Sequence, residues 1–546
     1  MITKAVRGPA GYPVRTVDEE QVAELVREAG TTDLVARLMW LRGVREAEAA
    51  GRWLAPAISH LHPPSDLPDF RPAVDRIRQA IERREGILVW GHDDLDGMTA
   101  VCVLSRVLAD LQARVRYYIP VKGREKHGLN SAVAAGFKQE GVGLVVTVDC
   151  GITNRDAVAE LAAKGIDVVV TDHHELIDTI PDSVANVDPK RPDSKYPYRG
   201  LAGVGVALKL AMGLVSEAMG LSIPEFFSIQ SEAVGLAVLG TLADRVPLTG
   251  ENRTLVSTGM DKLERTRLPL VRLMLDRIRQ EGKIVPARMV AELLPLFASA
   301  EGPEGVRGIL TQDEGYARKW LDELELRAAR WRDEAQRSLD LAGQQAQVGD
   351  GVVIVHSREL GLRTLGFCAT KLRDRYGMPA IILGWRGDAW VGECRGVEGL
   401  SLLDLLRHCS GHFIDYGGHK MAAGFTILDE RVEQFGRDAE AYAHEHFSGR
   451  LPVEQAVTAD AVLPVAEFDS GLRVLAPFGE GNPAPVFVSE PVSAEESSAG
   501  WVCSTRRDLV MRPAQRGVPG DEPVVLLYTM DDYGRLTALD FRSSHA

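Results

Sequence analysis

The sequence is poor in the features that mark out several large classes of protein. Its six cysteines (Cys102, Cys150, Cys368, Cys394, Cys409 and Cys503) are scattered, with no Cys-x-x-Cys pair and no Cys/His ladder. That excludes a disulfide scaffold and a structural zinc site as first readings and suits a reducing compartment, so a cytoplasmic protein is expected. No run approaches the roughly 18 apolar residues of a membrane span, and the opening MITKAVRGPAGYPVRTVDEE lacks the apolar core of a secretion signal, so no membrane association is expected. Positive charge is short: 63 Lys and Arg against 77 Asp and Glu leave a net charge of −14. A chain of that sign does not coat nucleic acid by bulk attraction, and contact with a polyanion has to come from a local basic groove. Low-complexity tracts and internal repeats are lacking too, while 45% hydrophobic and 26% charged residues are ordinary globular usage.

The pattern changes along the chain. Residues 19–54 have helical periodicity, and the Pro-rich AISHLHPPSDLPDF closes a helical leader and linker at 1–70. Over 71–253, short β-branched runs (ILVW, VRYYIP, LVVTV, DVVVT) alternate with helix-length segments, which predicts an α/β unit with a parallel sheet. Residues 254–346, rich in Leu, Arg and Glu, read as a helical connector. A second α/β unit spans 347–448, and the turn-rich tail, 449–546, is expected to form a small β-barrel.

Four segments of the first unit share one design, in which an apolar strand ends abruptly in acids or histidines. ILVW runs into Gly91-His92-Asp93-Asp94-Leu95-Asp96, LVVTV into Asp149, DVVVT into Asp172-His173-His174, and AVGLAVLGTLA into Asp244. Ligands of open parallel sheets bind outside the carboxyl ends of the strands, so these groups are expected to converge. Several carboxylates cannot share one pocket without cations. Asp oxygens mixed with imidazoles, and no thiolate, select Mn²⁺ or Mg²⁺ before Zn²⁺. Two such ions bridged by a carboxylate suit hydrolysis of a phosphoester.

His-x-Asp-x-Asp-Gly at 92–97, Asp-x-Gly at 149–151, Asp-His-His at 172–174 and LGTLAD at 239–244 resemble, in order, the four motifs of the DHH phosphoesterase superfamily. LAGVGVALKL (201–210), GENR (250–253), GGHKMAAG (417–424) and PFGEGNPAPVF (477–487) are similar to the RecJ branch, the single-strand-specific DNA exonucleases. The resemblance implies a parallel-sheet DHH domain, a helical connector, a DHH-associated α/β domain and an OB-like barrel. It implies two divalent cations, Mn²⁺ or Mg²⁺, the first held by His92, Asp94 and Asp149 and the second by Asp96, Asp149, His173 and Asp244. Asp149 then bridges, His174 faces the scissile phosphate, and Asp172 orients an imidazole. Arg395 with Gly417, Gly418 and His419 would grip the strand, aided by Lys122 and Arg124, and the cations between Arg358 and Arg375 form a further patch. The activity implied is 5′ to 3′ hydrolysis of single-stranded DNA in repair and recombination, by a monomer that works with a single-strand-binding protein and a helicase.

The chain departs from the RecJ pattern at His92, where an Asp is usual, at His127, where a Tyr is usual, in LLPLFASAEG (293–302), and at Glu393 and Gly396, where serines commonly flank the arginine. Two rival readings are a DHH phosphodiesterase acting on oligoribonucleotides or cyclic dinucleotides, and an inert replication scaffold. The leader, connector and tail favour long strands over the first. The complete ligand set disfavours the second.

Overall fold

The computed structural model describes residues 5–544 apart from 122–124, 126–127, 177–178, 280–283, 285, 298–299, 301, 419, 448–456, 498–499 and 512–521. The first sheet has five strands, β1 (Gly86–Trp90), β2 (Arg114–Tyr118), β3 (Val142–Val148), β4 (Asp167–Thr171) and β5 (Ala185–Val187), all parallel, in the order β2-β1-β3-β4-β5. Alternate residues face opposite sides. Ile87, Val89, Leu144, Val146 and Val169 enter one core, and Leu88, Trp90, Val145, Val168 and Val170 the other. Both faces are covered, which is why β1, β3 and β4 read as apolar runs, whereas the edge strand β2 keeps exposed arginines.

On the larger face pack α1 (Leu95–Asp110), α2 (Gly203–Met219), α3 (Ser231–Ala243) and α4 (Gly250–Glu264). The stretch read as a fourth strand, AVGLAVLGTLA, is α3, so Asp244 arrives at the C-terminal end of a helix and not at a strand end. An all-apolar run has no period to read, and burial on every side of α3, wedged between α1, α2 and α4, accounts for its composition. Pro269–Ile278, Pro286–Phe297, Gly302–Leu310 and the long α5 (Glu314–Gln345) are helices, and Leu270, Met274, Ile309 and Leu324 join the same core as α1 to α3. Among the described residues no single helix is long and apolar enough to cross a membrane.

The second sheet is mixed. Its strands β6 (Gln347–Val348), β7 (Val353–Ser357), β8 (Ala380–Trp385), β9 (Trp390–Arg395), β10 (Phe413–Gly418) and β11 (Ala422–Ile427) run in the order β10-β11-β9-β8-β7-β6, and only β7 and β8 are parallel. Helix α6 (Leu365–Tyr376) covers β8 and β9. The tail forms two small sheets, one of four strands and one of three, and no closed barrel is seen among the described residues. Val22, Leu25, Leu38 and Trp53 of the leader share a core with Leu472, Phe487, Leu526 and Tyr528 of the tail, so the two ends of the chain pack together.

Two buried cations tie these parts. Arg253 of the GENR motif donates to the carbonyls of Trp53 (3.1 Å), Leu475 (3.0 Å) and Val474 (3.0 Å), joining α4 to leader and tail. Glu251 accepts from Lys209 Nζ (2.6 Å), Tyr196 Oη (2.5 Å) and the His62 N–H (2.8 Å), while Lys209 also donates to the His62 carbonyl at 2.6 Å. Both side chains of the pair are almost wholly buried, so removing one partner strands a charge. Lys209→Met is expected to lower stability by about 3–5 kcal/mol in urea unfolding, with Glu251→Gln added to it restoring part of the loss. A single-variant cost under about 1 kcal/mol, the scale of an exposed pair, would contradict the assignment.

Candidate metal centre

The strand order reverses direction between β1 and β3, and at such a switch point the following loops part and leave a crevice at the strands' carboxyl ends. Gly91-His92-Asp93-Asp94 enters it from β1. Asp94 caps α1, its Oδ1 accepting the Gly97 N–H at 2.9 Å, and Asp96 lies in the first turn of the same helix, 2% exposed. Asp149 follows β3 in the left-handed region (φ 60°), a conformation that costs a non-glycine residue about 1–3 kcal/mol and is kept where the surroundings demand it. Asp172, His173 and His174 follow β4.

The side chains meet around Asp149. Its Oδ1 lies 3.1 Å from His173 Nε2 and its Oδ2 4.0 Å from His92 Nδ1. His92 Nδ1 is 3.2 Å from Asp94 Oδ2, and His173 Nδ1 is 3.7 Å from Asp244 Oδ2. Ligand atoms fall into three overlapping groups, each within 4.8 Å: His92, Asp94 and Asp149; Asp96, His173 and Asp244; and Asp149, His173 and His174. All six expected metal ligands and His174 are thus brought together.

The donor set fits a cation on two further counts. Asp149 Oδ1 and Asp244 Oδ2 are buried oxygens that accept no hydrogen bond. His173 Nδ1 lies 3.0 Å from the Leu201 carbonyl, which only accepts, so the proton sits on Nδ1 and Nε2 is left as a ligand. Without a cation, burial and then the Asp94 charge push the Asp149 carboxyl well above the usual range, and burial, Asp149 and Asp244 do the same to Asp96. Burial opposes protonation of His92, but Asp94, Asp93 and Asp149 outweigh it and raise its pKa well above the ordinary value.

Asp172 stands apart from the three groups and works on the histidines. Its Oδ1 accepts the His173 N–H (2.7 Å) and the His174 N–H (3.2 Å) and lies 2.7 Å from His174 Nδ1, while Oδ2 accepts the Ile152 N–H at 2.9 Å. Burial would raise this carboxyl, but His174, His173 and the Ile152 N–H hold it well below the usual range. Asp172 therefore stays ionised and fixes the His174 ring through Nδ1, a contact that does not involve Nε2.

Reading the strand ends gave three contributors no role. Asp93 is nearly buried, its Oδ1 3.6 Å from His92 Nε2. Asp188 follows β5 and is fully buried, its carboxyl pushed up to about 8 by burial and by Asp172. The third is the N-terminus of α2, whose Gly203 and Val204 N–H groups donate to Asp96 Oδ2 (2.7 Å) and Oδ1 (2.9 Å). A Cβ at Gly203 would lie 2.4 Å from Asp149 Oδ1, so only glycine lets the positive end of this helix reach the acids.

Of the residues expected to bind substrate, Arg395, Gly417 and Gly418 sit in the second sheet. Arg395, at the end of β9, donates to Glu393 Oε2 (3.0 Å) and to the Cys394 carbonyl (2.8 Å). Gly417 and Gly418 pair with Gly424 and Ala423 in the β10–β11 hairpin. In the cationic patch, Arg358 pairs with Asp429 and Arg373 with Asp374. Arg407 reaches across to the Leu176 carbonyl, just beyond His174, at 3.5 Å. Lys122, Arg124, His127 and His419 lie outside the described residues.

Residues 86–241 match the DHH family, N-terminal domain. The single-stranded-DNA-specific exonuclease RecJ of Bacillus subtilis is 30% identical over 89% of this chain, which spans 62% of that protein's length. RecJ of Dickeya dadantii is 30% identical over 83% of each chain. The crystal structure of RecJ from Thermus thermophilus in complex with Mn²⁺, 26% identical, covers 96% of this chain and 78% of its own with a TM-score of 0.78; the Mg²⁺ complex gives 25%, 96%, 77% and 0.71. With the ligand groups around Asp149 in place and that identity sustained over most of both chains, this protein belongs to the RecJ family of single-stranded-DNA-specific exonucleases.

Proposed function

We propose that the chain hydrolyses single-stranded DNA from its end, 5′ to 3′, releasing nucleoside 5′-monophosphates, with two divalent cations, Mn²⁺ or Mg²⁺. The observation that carries this reading is the overlap of three ligand groups on Asp149 and His173. His92, Asp94 and Asp149 would hold one ion, and Asp96, Asp149, His173 and Asp244 the other. Ions so held supply an activated water and neutralise the charge of phosphodiester displacement. His174, fixed through Nδ1 by Asp172, presents Nε2 to the phosphate, where it donates a hydrogen bond or a proton. Arg395 and the glycine hairpin, backed by Lys122, Arg124 and His419, track the backbone as single-strand grooves do. The tail sheets, OB-like in this reading, hold the strand before the cut. The protein acts as a cytoplasmic monomer in DNA repair and recombination, supplied with single strands by a helicase and a single-strand-binding protein.

Loss of the shared ligand should be far more damaging than loss of the positioning acid. Asp149→Asn is expected to lower Mn²⁺-dependent release of nucleotides from a 5′-labelled oligonucleotide by more than about 100-fold, and Asp172→Asn by about 10–100-fold. Retention of a tenth of wild-type turnover by folded Asp149→Asn would contradict the bridging role.

The raised carboxyls also set a pH dependence for the metal-stripped protein. Asp96 and Asp149 bind more protons folded than unfolded, so stability falls as pH rises from about 4 towards their folded values, and His92, raised likewise, adds to the fall as pH climbs through its own. Asp172, lowered, contributes its full stability throughout that range. Melting temperature without metal is expected to drop between pH 5 and 8 and to recover most strongly at pH 8 on adding Mn²⁺. A metal-free melting temperature that rises across this range would overturn the assignment.

A further inference from the structure

The pair formed by Glu393 and Arg395 occupies ground that otherwise looks built for an anion. Both residues lie on one face of β9, each about a quarter exposed, and α6 begins directly over them. A Cβ at Gly366, in the first turn of α6, would lie 2.6 Å from Arg395 Nη2 and 3.5 Å from Glu393 Oε2. The N-terminus of α6, entered through the 3-10 turn Leu362–Thr364, has no side-chain cap; the Thr364 hydroxyl donates to the Gly361 carbonyl at 2.8 Å. Along the sheet, Glu393 is opposite Gly424, and Gly424 is opposite Gly417. Cross-strand partners share a face, so on its hairpin side the Glu393 carboxylate borders bare backbone, while its partner on β8 is the buried Ile382. A guanidinium, a helix N-terminus without a side-chain cap and a glycine floor on the hairpin side together favour an oxyanion. The anion seated there in this chain is Glu393.

We propose that Glu393 is an internal stand-in for a strand phosphate and sets the selectivity of the site by competing for Arg395. This rests on the reading that Arg395 grips the substrate backbone. A carboxylate tethered two residues away has a local concentration of millimolar or more, so a ligand that brings one phosphate, such as a released nucleotide, loses the exchange. A strand that also engages the metal centre and the hairpin wins it. Glu393 thereby favours long strands over short ones and speeds departure of the product, at the cost of weaker capture.

The test is steady-state hydrolysis of a long and a very short oligodeoxynucleotide with Mn²⁺ by the full-length wild type, Glu393→Gln, Glu393→Ser and Arg395→Ala, with dTMP as inhibitor. A wild type with no activity on single strands defeats the functional reading itself, whatever the variants do. With an active wild type, Glu393→Gln and Glu393→Ser are expected to lower the dTMP inhibition constant and the KM for the short oligomer about tenfold, one charge-assisted hydrogen bond's worth, with a smaller change for the long one. Adding Arg395→Ala should erase that gain. Unchanged or raised constants in both Glu393 variants, with melting temperatures like the wild type, would show that Glu393 only positions Arg395 and would overturn the proposal. A gain that survives Arg395→Ala would overturn it as well.

Discussion

Everything in the first domain answers to one constraint: five carboxylates, Asp94, Asp96, Asp149, Asp172 and Asp244, are held within one crevice at the carboxyl ends of a parallel sheet. In a low-dielectric interior, carboxylates this close cannot all stay ionised unless positive charge is supplied. Protein groups supply part of it. His92, its pKa raised by the acids, stands beside Asp149, and the N-terminus of α2 donates two N–H groups to Asp96. The remainder is visible in the raised carboxyls of Asp96 and Asp149 and in the oxygens of Asp149 and Asp244 that no donor reaches. That remainder is an affinity for divalent cations written into the packing.

The rest of the molecule braces this arrangement. Lys209 and Glu251 lock α2 to α4, so the helix end that touches Asp96 is anchored by a buried network of its own. Arg253 fastens α4 to leader and tail, and Asn482 of the PFGEGNPAP turn accepts from Arg42 of the leader at 2.8 Å, so two motifs similar to RecJ do architectural work here. Because leader and tail share a core, the tail is part of the framework, and the strand-holding role proposed for it is better probed by surface substitutions than by removal.

How much of this was legible in the sequence depended on whether the signal was local. The runs ending at Trp90, Val148 and Thr171 announced strands, and the abrupt change to acids and histidines after them marked the ligands. Asp244 was found by its residue type although the segment before it is a helix, since an apolar run shows burial without showing shape. Asp188 escaped because its strand, Ala185–Val187, is too short to form a run. The α2 N-terminus escaped because Leu201-Ala202-Gly203 has no capping side chain to betray it; its partner, Asp96, is far away in the chain. The union of leader and tail is non-local in the same way. At Glu393 the sequence marked a departure, but only the geometry showed a carboxylate lying on Arg395.

Binding of Mn²⁺ to the metal-stripped wild-type protein tests the central claim most directly, measured by titration calorimetry at neutral pH in two buffers of different ionisation enthalpy. Cations that take over the charge of buried, partly protonated carboxylates must displace protons as they enter. The account predicts two ions per chain with net release of protons, more at lower pH. Binding of a single ion, or binding of two with no proton released at any pH, would contradict it.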